Sequence, residues 1–215
     1  MATLFQMLLR KIFPTKKNSF LFETPIAELN GHHTIMIDWG VYKNKFLKLE
    51  FCRKLTFIIN DVEYHIYDYF FERESEKNSY LVLRLLPKED GTYSYLILER
   101  IYECGYDEKF YEDLLKNPEY CDEGATYWKI VDSQKESIAS VEEVSYQGNS
   151  NPTEKDIDKY SLCLWDFWRT TTANNNKNST KYTEYFYIEM NKEDGWFSFF
   201  VGQEIPKTLI LFIKD

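Results

Sequence analysis

Histidines, cysteines and carboxylates are the side chains with which this chain could do chemistry. Its three imidazoles are His32, His33 and His65. Neighbouring residues of a strand point to opposite faces, so His32 and His33 do not converge on one metal ion. Cys52, Cys104, Cys121 and Cys163 lie far apart, without zinc-ribbon spacing or a disulfide framework, and read as free thiols of a reducing cytosol. Cys163 stands in an apolar run and reads as an inert core thiol. A Cys104 nucleophile served by His65 is an alternative that no motif joins. Glu184 and Glu189 fall on opposite strand faces, as do Glu142 and Glu143, so neither couple makes an acid/base pair. All four read as solvated. Asp166 and Arg169, within Trp-Asp-Phe-Trp-Arg, read as a partly buried structural charge pair. Trp165 and Trp168 are three apart, so they lie on opposite strand faces or in a local bulge, with at least one buried. No glycine-rich phosphate loop and no Gly-x-Ser-x-Gly elbow occurs. The residues predict a non-enzymatic protein without metal or cofactor.

The charges point to partners instead. The formal net charge is −9, which argues against a nucleic-acid partner. Residues 61–123 hold 17 acidic and 7 basic side chains. Glu63, Glu72, Glu74, Glu76, Glu103, Asp107, Glu108 and Glu112 are expected to gather on an outer face. That face serves either a basic protein partner or simple solubility. The first 22 residues carry Arg10, Lys11, Lys16 and Lys17 and no acid. There Leu4, Phe5, Leu8, Leu9 and Ile12 recur at helical spacing beside Arg10 and Lys11, and Pro14 ends the pattern. This amphipathic helix, residues 1–17, needs a surface: the protein's own core, a partner helix, or a membrane. No apolar run is long enough to span a bilayer, and the charges follow the apolar residues, unlike a signal peptide. A cytoplasmic protein, at most peripheral to the inner membrane, is expected.

The elements that must position these residues are mostly strands. Aromatics make up 18% of the chain. Short aromatic and β-branched runs bounded by turn residues predict strands at 33–37, 46–51, 55–59, 62–71, 80–86, 93–102, 125–131, 138–146, 162–169, 182–190, 196–201 and 208–213. Residues 125–131 and 138–146 read as a pair around Asp132-Ser133. Asp107 to Lys116 reads as the one internal helix, with Phe110, Tyr111, Leu114 and Leu115 on one face and Asn117-Pro118 as its stop. The fold class expected is α+β: mainly antiparallel sheet, an N-terminal amphipathic helix and one internal helix. Residues 18–215 form a single β-rich domain, and any seam falls near 117–122.

The order of these segments carries a resemblance. Ser79-Tyr-Leu-Val-Leu-Arg-Leu-Leu, Tyr95-Leu-Ile-Leu-Glu-Arg-Ile-Tyr, Ala125-Thr-Tyr-Trp-Lys-Ile-Val, Val141-Glu-Glu-Val, Leu162-Cys-Leu-Trp-Asp-Phe-Trp-Arg, Glu184-Tyr-Phe-Tyr-Ile-Glu and Val201-Gly-Gln-Glu-Ile follow one another over residues 46–213. The series resembles the YjfK-like family of bacterial proteins of unknown function. The resemblance carries over no catalytic residue. It implies a cytoplasmic companion of phage-shock-like membrane-stress systems, which suits a basic amphipathic N-terminus. The alternative is an acidic immunity-type protein that neutralises a basic toxin.

Overall fold

A computed structural model of the chain describes residues 33–38, 45–59, 61–71, 80–88, 92–129, 137–145, 156–175 and 178–214. The β-branched and aromatic runs become strands, since such side chains fit a pleated surface packed on its faces. In chain order these are β1 (His33–Ile37), β2 (Lys45–Ile59), β3 (Val62–Phe71), β4 (Leu81–Pro87), β5 (Tyr93–Gly105), β6 (Glu119–Asp122), β7 (Ala125–Lys129), β8 (Ser137–Ser145), β9 (Ile157–Asn175), β10 (Asn178–Asn191), β11 (Trp196–Ile205) and β12 (Ile210–Lys214). The α-helix among the described residues is α1 (Glu108–Lys116), between β5 and β6.

Eight of the strands close on themselves. Around the ring they run β2, β3, β4, β5, β11, β10, β9, β8, and β8 pairs back to β2, every neighbour antiparallel. The barrel is therefore two four-stranded meanders, β2 to β5 and β8 to β11, joined first strand to first strand and last to last. Closure removes the free edges of those eight strands. Gly202 shapes the wall. A Cβ there would stand 1.9 Å from the Ile97 carbonyl oxygen, so only glycine lets β11 run this close to β5. Opposite Phe199 and Phe200, β5 carries an extra residue, Ile101, a bulge that bends β5.

The barrel is buried on both sides of its wall. Outside β2 to β5, the short strands β1 and β12 cover Leu49, Tyr69, Phe71, Leu83 and Leu85. Outside β9 to β11, α1 and the β6–β7 hairpin cover Trp165, Phe167, Phe186, Ile188 and Phe197. Asp107 caps α1 by accepting a 2.7 Å hydrogen bond from the Phe110 amide, and Lys129 Nζ donates to the Leu114 carbonyl at 2.8 Å near its other end.

Two expectations are corrected here. The fold is a nearly all-β closed antiparallel barrel, not α+β; α1 is nine residues long and serves as an outer cover. Most strands were readable one by one, although the runs at 46–51 and 55–59 are the single strand β2 and β6 was not read; closure depends on pairing between remote strands that no local pattern announces. The N-terminal amphipathic helix lies outside the described residues. Nor do the strands at 125–131 and 138–146 pair with each other: β7 joins β6 and β9, whereas β8 joins β2 and β9.

Candidate functional site

Strand parity sends one set of side chains into the barrel. Arg53 of β2 lies opposite Asp68 of β3, and Asp68 opposite Arg84 of β4. Glu189 of β10 reaches them from across the interior. All four are buried. Asp68 accepts from Arg53 Nε at 2.9 Å, and from Arg84 Nε and Nη2 at 2.7 and 2.8 Å. Glu189 accepts from Arg53 Nη2 at 2.6 Å and Arg84 Nη2 at 2.5 Å. The result is a closed ring of two guanidiniums and two carboxylates, with no net charge. Burial pushes the Asp68 carboxyl upward, but Arg84 and Arg53 together hold it below its ordinary value. Burial alone would also weaken both arginine charges, and the carboxylates more than reverse that. Arg53 lies over the Phe70 ring at 4.8 Å and Arg84 over Tyr187 at 4.7 Å.

The two ends of the barrel differ. At one end Phe51 stacks on Phe70 with centroids 4.1 Å apart, and Tyr80 meets both rings edge-on. Phe200 packs against Phe70 from the opposite wall. Arg100 lies over Tyr80 at 4.2 Å and pairs with Glu103 at 2.5 Å, which also accepts from Ser198 at 2.9 Å. These groups plug that end. At the other end the inward positions stay within reach of solvent. Phe57, Ile66, Leu86 and Tyr185 are half-buried, and Tyr64 and Trp168 are exposed. Glu204 stands on this rim, bonded by Ser94 and near Lys88.

Asp166 sits between the ring and this open mouth. It is opposite Tyr187 in register, one inward step beyond Leu164 and one before Trp168. Protein surrounds its carboxyl, and the residue as a whole is half-buried. Among the described residues no side chain donates a hydrogen bond to its carboxylate. Burial pushes it up to about 6; Arg84 pulls against that shift and Glu189 adds to it. Arg84 Nη1, buried beside it, likewise has no partner among the described residues.

The residues singled out in the sequence fall elsewhere or do other work. Asp166 and Arg169 do not pair: Arg169 binds Glu184 at 2.5 Å on the outer wall, where Tyr127 also donates to Glu184 at 2.7 Å. Glu189, read as solvated, is part of the buried ring. Trp165 is buried under α1, and Trp168 is 39% exposed at the mouth. Glu103 belongs to the plug, Asp107 caps α1, Glu112 pairs with Lys116 at 2.6 Å, and Glu108 is exposed in the first turn of α1. Glu63 lies 3.7 Å from His65, whose ring burial holds below its ordinary value. Cys104 is at the plugged end and His65 near the mouth, so they form no couple; burial pushes the Cys104 thiol up. All four cysteines are free. Among the described residues no three His, Cys, Asp or Glu side chains converge on a metal position. Glu72, Glu74, Glu76, and Leu4, Phe5, Leu8, Leu9, Arg10, Lys11 and Ile12 lie outside the described residues.

Arg53, Asp68 and Arg84 were missed. The available signal was a charge between apolar neighbours inside a strand, as in Leu-Val-Leu-Arg-Leu-Leu and Tyr-Asp-Tyr-Phe-Phe. No protein-family model, curated protein or solved structure matches the chain. None of these comparisons bears on the resemblance to the YjfK-like family.

Proposed function

We propose that the protein is a non-enzymatic binding barrel, which holds one small occupant in its open mouth without transforming it. The observation that carries this is the asymmetry of the interior: an aromatic plug at one end, a solvent-reachable apolar lining at the other, and a carboxylate without a hydrogen-bond partner among the described residues between them. Eight-stranded barrels have interiors that side chains just fill or that admit one small ligand, and here Phe57 and Ile66 pack on Leu55, Leu162 and Leu164 while Trp168 at the mouth stays exposed. Asp68 is locked between two arginines that hold its proton off, so it is a poor proton carrier. The test is a screen of small amphipathic molecules against the amide resonances of the full chain. Binders should shift Phe57, Leu86, Trp168 and Tyr185. Shifts confined to the outer wall would overturn the reading.

A second reading, a basic protein partner, is favoured by one surface. Tyr106 and Trp196 are 52% and 54% exposed at adjoining strand ends, beside Asp107, Glu108, Glu193 and Asp194. Exposed aromatics edged by carboxylates suit a cationic protein surface, as in the immunity-type alternative. Such an interface would weaken as salt rises. Among the described residues no helix is long and apolar enough to cross a membrane. A peripheral membrane role, like the link to membrane stress, rests on residues 4–12 and on the family resemblance.

A further inference from the structure

We infer that the occupant of the mouth is a small organic monocation, an alkyl- or arylammonium ion, with its ammonium on the Asp166 carboxylate and its apolar part against Trp168, Tyr185 and Leu86. The inference deepens the binding-barrel reading and rests on it.

Charge balance comes first. Arg53, Arg84, Asp68 and Glu189 neutralise one another through five hydrogen bonds, so ionised Asp166 has no cation of its own, and half-buried Glu143, opposite Arg53 in register, adds to the negative excess. Burying an unmatched charge is costly, and a bound cation removes that cost. An anionic occupant would add to the excess. Arg84 Nη1 offers it a donor, but the charge of that guanidinium is already spent on Asp68 and Glu189.

The shape of the site selects within the cations. A hard divalent metal requires six or more oxygens, and no group of three ligating side chains converges among the described residues. An ammonium needs one carboxylate and tolerates aromatic neighbours. Trp168 and Tyr185 lie opposite each other in register, and Tyr185 and Tyr187 stack at 6.2 Å along the same wall. Aromatic walls around a single carboxylate attract an organic cation through ring quadrupoles as well as by Coulomb attraction. The groups facing Asp166 are Arg84 from β4, and Tyr187 and Glu189 from β10, with Arg53 and Asp68 behind them. Neither ring carboxylate competes for the cation, since arginine engages both Glu189 and Asp68, and Glu204 at the rim accepts from Ser94 and lies 3.6 Å from Lys88.

The test is calorimetry on the full chain with benzylammonium, benzyl alcohol and benzoate, alongside amide spectra to locate binding. Benzylammonium should bind at the mouth at least about tenfold more tightly than benzyl alcohol, with benzoate weakest. Its affinity should fall about tenfold between pH 7.5 and 5, as Asp166 takes up its proton. Asp166→Asn should erase the preference for the ammonium. A preference that survives Asp166→Asn, or benzoate binding as well as benzylammonium, overturns the cation assignment and leaves the binding barrel intact. If none of the three shifts a mouth resonance, the cation assignment and the binding-barrel reading fall together. The wild-type pH dependence provides a reading that needs no variant.

Discussion

Arg84 and Asp166 are close neighbours with opposite effects on stability. Arg84 is fully buried and holds both ring carboxylates. Replacing it with methionine strips Asp68 and Glu189 of three of their five hydrogen bonds, and the expected loss is about 3 to 5 kcal/mol in urea unfolding. A loss under about 1 kcal/mol would mean that water satisfies the ring instead. The pH signs also differ. The Asp68 pKa is lowered by folding, so its contribution is present above its unfolded value of 3.8 and is lost as pH falls below it. Folding raises the Asp166 value from 3.8 to about 6. The folded state then holds the proton more firmly, so the Asp166 contribution is favourable in acid and is lost as pH rises from about 4 to 6. Asp166→Asn should therefore stabilise the protein at pH 7 by about 1 to 2 kcal/mol, discounted for its partial exposure. It should also flatten stability between pH 4 and 6. A destabilised Asp166→Asn would show that the carboxylate is held by a bond of its own.

At the scale of elements, Gly202 and Asp107 are the sharpest tests. Gly202→Ala forces a Cβ onto the Ile97 carbonyl at 1.9 Å, so β5 or β11 must move. The cost should exceed about 2 kcal/mol, with the largest changes in amide exchange along those two strands. Asp107→Ala removes the cap of α1 and should cost about 1 kcal/mol, read as a lower melting temperature. The same elements show what the sequence could and could not disclose. The cap and the Asn-Pro stop made α1 legible to within a residue, because those signals are local. Most strands were legible from their aromatic runs and turns, β6 excepted. Their faces were not. In β3 the expected alternation dissolves: Val62 and Tyr64 are exposed at the rim, while Asp68, Tyr69, Phe70 and Phe71 are all buried, because the wall is covered inside and out. Covered walls also explain the misplacement of Glu189, since a charge on a strand ordinarily faces water.

For the whole molecule, the closed ring makes the barrel interior the one compartment that both meanders build together. Arg53, Asp68 and Arg84 come from the first, Glu189 and Asp166 from the second. Within residues 61–123, Asp68 lies inside the barrel, Glu103 in the plug and Asp107 at a helix cap. A mouth floored by a carboxylate awaiting a cation is tested most directly at that carboxylate. The measurement is the carbon-13 shift of the Asp166 side-chain carboxyl in the full chain, titrated against pH without and with saturating benzylammonium. The midpoint should lie near 6 in the free protein and fall by about a unit or more with the cation bound. A midpoint that benzylammonium leaves unmoved would contradict the cation-binding mouth.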